Sequence, residues 1–74
     1  MHSCIQINPR VCNGKPVIAG TRIPVTVILD QMIATGSLES LQALYPELDR
    51  QQLIAALQYC HTVIEHAEFE AIAA

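Results

Sequence analysis

The run Leu48-Asp49-Arg50-Gln51-Gln52-Leu53-Ile54-Ala55-Ala56-Leu57-Gln58-Tyr59-Cys60-His61-Thr62-Val63-Ile64 decides how this chain folds. Asp49 stands at a helix N-cap, Gln52 at the third helical position, and Leu48 and Leu53 at the two staple positions around them. Apolar residues then fall at Leu53, Leu57, Cys60, Ile64, Ala67 and Ala71. The steps alternate between four and three, so the stripe repeats about every 3.5 residues, as the buried seam of a helix does. We read its first part, Leu53 to Ile64, as core. A helix over residues 50–72 would span roughly 34 Å at about 1.5 Å per residue. The rest of this small chain cannot cover that length. The segment Val63 to Ala74, with Ile64, Ala67, Phe69 and Ile72, is therefore expected to fray or to pack on another molecule, and packing on a twin is the favoured reading.

Two shorter helices precede it. Pro24 has a φ suited to a first helical turn and Gly36 supplies a stop, which predicts a helix over 24–35. Its Val25, Ile28, Leu29, Met32 and Ile33 share one expected buried face. Ser37 is placed to cap a helix over 38–45, with Leu41 and Leu44 inward, and Pro46 ends it. Residues 5–23 read instead as short β segments and turns. Ile5-Gln6-Ile7 alternates like a strand and stops at Asn8-Pro9, and Asn13-Gly14 is a turn signal. Val17-Ile18 and Arg22-Ile23, joined by Ala19-Gly20-Thr21, form an expected hairpin, with Gly14 and Gly20 supplying positive φ and Thr21 hydrogen-bonding within the turn. Two strands alone are marginal, so the hairpin must lie on the helices or pair with another chain. The whole, residues 1–74, is read as one mainly α domain: a three-helix bundle of the helix-turn-helix type with a short N-terminal β-hairpin.

A chain of 74 residues buries only about 60% of the surface its unfolded form exposes, yet 51% of this one is hydrophobic and 15% charged. Alanine on helix surfaces accounts for some of that surplus. An apolar patch covered by a second chain accounts for more, and a homodimer is expected. The longest apolar candidate, Ile23 to Ile33, is interrupted by Asp30 and Gln31 and is too short to span a membrane. The N-terminal Met-His-Ser-Cys lacks the pattern of a secretory signal, so the default expectation is cytoplasmic. Cys4, Cys12 and Cys60 make an odd set without C-x-x-C spacing, which fits a reduced compartment. Cys60 reads as a small core residue. Cys60 and His61 lie about 100° apart on a helix and do not converge on one zinc ion, and no cofactor is expected.

Residues 1–22 carry Arg10, Lys15 and Arg22 with no acid, a net of +3, while residues 23–74 carry Arg50 against seven acids, a net of −6. That division limits the chemistry. No serine has a histidine near it in sequence, and the pairs His61/Glu65 and His66/Glu70 are spaced as ordinary i, i+4 contacts on a helix surface. A chain this small encloses little of a pocket, so an enzyme is not expected and no catalytic residue is assigned. A DNA reader would use Arg50 and Gln51 at the start of the third helix, with Arg10, Lys15 and Arg22 as a basic arm. Its weakness is that phosphate neutralisation drives non-specific affinity, and the helices are acidic. For Lys15 and Arg22, surface salt bridging competes with contact to phosphate or to a partner's acids.

The run Val11-Cys12-Asn13-Gly14-Lys15-Pro16-Val17-Ile18-Ala19-Gly20-Thr21-Arg22-Ile23-Pro24-Val25, with Gly36, the Tyr45-Pro46-Glu47-Leu48 turn and Leu53-Ile54-Ala55-Ala56-Leu57, resembles the signature of a bacterial family. It is domain-of-unknown-function family four hundred and thirty-three, and the resemblance covers roughly residues 5 to 62. It implies a homeodomain-like trihelical fold with an N-terminal β element. It also implies an antitoxin of a type II toxin-antitoxin pair, covering a PIN-like nuclease toxin and able to repress a shared promoter. The resemblance brings no catalytic residues. Where many antitoxins carry a disordered polar tail, the residues here after Tyr59 look helical and partly apolar. The terminal helix is thus the expected gripping surface, formed by Val63, Ile64, Ala67, Phe69 and Ile72. A stand-alone homodimerisation domain is the remaining alternative.

Overall fold

In a computed structural model, which describes residues 4–73 and side chains through residue 67, Asp49 and Gln52 cap the long helix reciprocally. The Gln52 amide donates to Asp49 Oδ1 at 2.8 Å and the Asp49 amide to Gln52 Oε1 at 2.8 Å. Two of the donors that a helix start leaves orphaned are thereby satisfied. The helix that follows, α3, runs Arg50–Ala73. Asp49→Ala is expected to destabilise the fold by about 1 kcal/mol, and Asp49→Asn, which keeps an acceptor, to recover most of that loss. The midpoint of urea unfolding for the three proteins checks it.

Helix α1 spans Val25–Thr35. Pro24 precedes it at φ −64°, where its missing N–H is not needed. Gly36 ends it at φ 80°, its amide donating to the Met32 carbonyl at 2.8 Å; only glycine adopts that left-handed position without strain. Helix α2 spans Leu38–Leu44, capped by Ser37, whose Oγ accepts from the Ser40 amide at 3.1 Å. After Pro46 the chain turns directly into α3, held by the Leu48 amide on the Tyr45 carbonyl and by Gln42 Nε2 donating to the Leu48 carbonyl.

The sheet departs from the expected hairpin. Strand β1, Ile5–Gln6, pairs antiparallel with β2, Val17–Ile18, in the register Ile5 to Ile18 and Gln6 to Val17. Residues 22–25 do lie along the other edge of β2, but as an isolated bridge from Val17 to Pro24, made by the Ile18 amide on the Ile23 carbonyl and the Val25 amide on the Pro16 carbonyl, each 3.0 Å. The ladder goes no further because the turn takes its partners: the Ile23 amide donates to Thr21 Oγ1, and the Ile18 carbonyl accepts from the Thr21 amide. Both edges of β2 are occupied by this chain's own backbone, and β2 offers no free edge to a twin.

The core gathers Ile18 from the sheet, Val25 and Ile28 from α1, Leu41 from α2, Leu48 from the turn, and Leu53, Ala56 and Cys60 from α3. Leu29, Met32 and Leu57 pack partly buried against it. Three residues expected inside are outside. Ile33 is 73% exposed because it lies about 100° around α1 from Met32, off the buried stripe. Leu44 is 52% exposed because α2 ends there and half-buried Tyr45 packs on the core instead. Ile64 is 56% exposed: the core stripe of α3 stops at Cys60, a turn earlier than its period suggests. Among the described residues no helix is long and apolar enough to cross a membrane.

Candidate functional site

Where α3 leaves the body it forms one wall of an apolar groove of about 300 Å³. Val25, Thr26 and Leu29 line it from α1, Pro16 from the loop before β2, and Tyr59, Cys60, Val63 and Ile64 from α3. The groove exists because the helices separate there. Burial at Cys60 (8% exposed) changes within a turn to 48% exposure at Val63 and 56% at Ile64. Ala67 is exposed one turn further on. Val63, Ile64 and Ala67 thus form a solvent-facing ridge continuous with the groove. Phe69 and Ile72, grouped with them from the sequence, lie outside the residues whose side chains are described.

At the groove floor the Cys60 thiol sits 3.7 Å from the Val25 carbonyl. Burial pushes its pKa up, and the negative charge of Asp30 adds to the rise. The thiol is therefore held neutral, which suits a packing role rather than a nucleophile. The shift has a consequence for stability. In alkali the unfolded chain loses this proton before the folded one does, so the thiol's contribution is intact below the ordinary thiol range and declines as pH rises above it. Cys60→Ala is expected to make the loss of stability between neutral and alkaline pH shallower, as read from urea melts at both. His61 and Glu65, 3.6 Å apart on the outer face of α3, are both exposed and contribute little.

The basic residues of the N-terminal segment occupy one loop cluster. Cys12, Asn13 and Gly14 follow one another at φ 51°, 58° and 82°, a left-handed turn closed by the Gly14 amide on the Val11 carbonyl and the Lys15 amide on the Cys12 carbonyl. The Cys12 thiol donates to the Arg22 carbonyl at 3.3 Å, which ties this turn to the one after β2. Lys15 and Arg22 are consequently displayed from adjoining backbone, both exposed. Arg10 is exposed on the preceding turn, where its amide donates to Asn8 Oδ1. In the second turn Gly20 takes φ 79°, while Thr21 Oγ1 donates to the Ile18 carbonyl at 2.7 Å and accepts from the Ile23 amide at 3.0 Å. Arg50 and Gln51 are exposed on the first turn of α3, a separate element. The thiol link from Cys12 to Arg22 and the part of Pro16 in the groove were not legible in sequence, because both join segments through tertiary contacts. Among the described residues no group of three His, Cys, Asp or Glu gathers where a metal ion could sit.

No curated protein matches the chain. A solved structure, that of a DUF433 member protein from Anabaena variabilis, is similar at 36% sequence identity with a TM-score of 0.75. The similarity covers 90% of this chain, which spans 66% of the length of that one. The model of the family described as protein of unknown function (DUF433) matches residues 5–60, which is most of the chain. By sequence and by fold, the chain belongs to the DUF433 family.

Proposed function

We propose that this chain is a protein-binding module, without catalytic activity, that acts as the antitoxin of a type II pair by covering a PIN-like nuclease. The observation that carries the reading is the ridge of Val63, Ile64 and Ala67 standing in solvent beside an apolar groove. Apolar side chains grouped in this way on a small domain mark a surface that another protein covers. Co-expression with a PIN-like nuclease from the same organism tests the proposal. The expected result is a stable complex in near-equal amounts with nuclease activity suppressed, and its loss on Ile64→Glu. A nuclease that neither co-purifies nor loses activity overturns it.

A second reading, a DNA-binding autoregulator built on a homeodomain-like helix-turn-helix arrangement, is favoured by one observation: Arg10, Lys15, Arg22, Arg50 and Gln51 are all exposed. The acidic balance of residues 23–74 counts against it. Binding to promoter DNA that weakens steeply with salt, and on Arg50→Ala, would establish it.

A further inference from the structure

We infer that in the isolated protein the α1–α3 groove is occupied by the terminal half of α3 from a second copy, in a two-fold symmetric pair. The inference rests on reading the groove as a protein-docking surface. It makes the second copy the occupant that any other partner must displace.

The first argument is self-complementarity. In a two-fold interface the same patch appears on both sides, so each copy must offer both a socket and a plug. Here the two adjoin on one helix. Tyr59, Cys60, Val63 and Ile64 line the socket, and the exposed parts of Val63 and Ile64 continue into exposed Ala67 one turn on. Two α3 helices lying antiparallel and crossing near Val63 would place each ridge against the other's socket. Ala67, with the smallest side chain of the three, allows the helices to approach at about 8–10 Å.

The second argument is charge. Residues 51–74 contain Glu65, Glu68 and Glu70 and no lysine or arginine, whereas residues 1–22 contain three bases and no acid. Lys15 is exposed and directly precedes Pro16, which lines the groove. Arg22 belongs to the same loop cluster through the Cys12 thiol. Exposed Lys15, next to a residue that lines the groove, offers a positive charge to the acidic terminal helix of a second copy. A parallel pair would bring the acidic ends together. The charges thus favour docking of that acidic helix beside Lys15.

Light scattering and sedimentation of the full chain over a range of concentrations test the pairing. A dimer is expected. Ile64→Glu should weaken it at least about tenfold while leaving the circular dichroism unchanged, because Ile64 is exposed rather than core. Lys15→Glu and Glu65→Lys should each weaken the dimer, more so at low salt, and the double variant should recover affinity. A monomer at every concentration, or a dimer indifferent to Ile64→Glu, overturns the pairing. Failure of the charge exchange to restore affinity overturns the charge contact between Lys15 and the acidic helix. Either failure is distinct from that of the antitoxin reading, which is decided by retention and inhibition of the nuclease.

Discussion

Leu53→Ala is expected to destabilise the fold by about 2–5 kcal/mol. Leu53 is fully buried on α3, in a core cluster that takes side chains from the sheet and from every helix. Shortening it removes the transfer energy of its methyl groups and leaves a cavity that neighbours cannot readily fill. Ile18, Ile28 and Leu41 are themselves fully buried. At roughly 0.05–0.15 kcal/mol per residue, a domain of this length has about 4–11 kcal/mol of stability in total. The substitution therefore removes a large share of it, and a sizeable unfolded fraction is expected on warming. The contrast is Ile33→Ala, a truncation of similar size at an exposed position, expected to stay within about 0.5 kcal/mol. Urea midpoints for both, at unchanged m-value, make the measurement. Equal effects would mean that α3 is not seated as described. The wall of the groove would then have no fixed position, since Tyr59 to Ile64 belong to that helix.

Features that depend on a few neighbouring residues were legible in the sequence. The cap of α3 needed only Asp49 and Gln52, the stop of α1 only Gly36, and the cap of α2 only Ser37 with the amide of Ser40. Each is a local bond or a local φ, and side-chain chemistry determines it. The side of α3 that would be buried was legible in part. A period of 3.5 selected Leu53 and Cys60 but passed over Ala56, which is fully buried. Alanine carries too little hydrophobicity to mark a stripe, yet its small side chain is what lets neighbouring elements approach there. The same period ran on through Ile64, although the core ends at Cys60. Periodicity reports which residues share a face, not how far the opposing surface extends.

Pairing across the sheet was legible only as candidate segments. Ile5-Gln6 and Val17-Ile18 both read as extended, but sequence proximity favoured the short Val17–Ile23 connection over the longer one. The decisive physical fact is that the Thr21 turn takes the Ile23 amide and the Ile18 carbonyl on one side of β2, while β1 pairs with the other side in regular register. The candidate site was visible as a surplus of apolar residues near the C-terminus. Its second wall was not, because Pro16, Val25 and Leu29 reach it from segments far from Val63 in sequence. A groove is a property of two surfaces, and one periodic pattern reveals at most one of them.

Thr21→Val is expected to destabilise the fold by about 2–3 kcal/mol, although it keeps nearly the same volume and is only half-buried. The hydroxyl makes two bonds that valine cannot: it donates to the Ile18 carbonyl and accepts from the Ile23 amide. Losing the acceptor leaves the Ile23 amide, in a partly buried segment, to find water or remain unpaired. That penalty exceeds the net value of an ordinary hydrogen bond. Thr21→Ser retains the hydroxyl and should lose much less, which separates the bonds from the methyl group. Gly20→Ala supplies a third comparison. Nothing lies within 4 Å of the added Cβ, so its cost of about 1–2 kcal/mol comes from the φ of 79° alone. If valine and serine at position 21 give the same midpoint, the hydroxyl is not what holds the turn. The effect should also reach the groove, because Ile23 and Pro24 lead directly into Val25 on its wall. In Thr21→Val, partner affinity is therefore expected to fall together with stability, whereas Ile64→Glu should lower affinity alone.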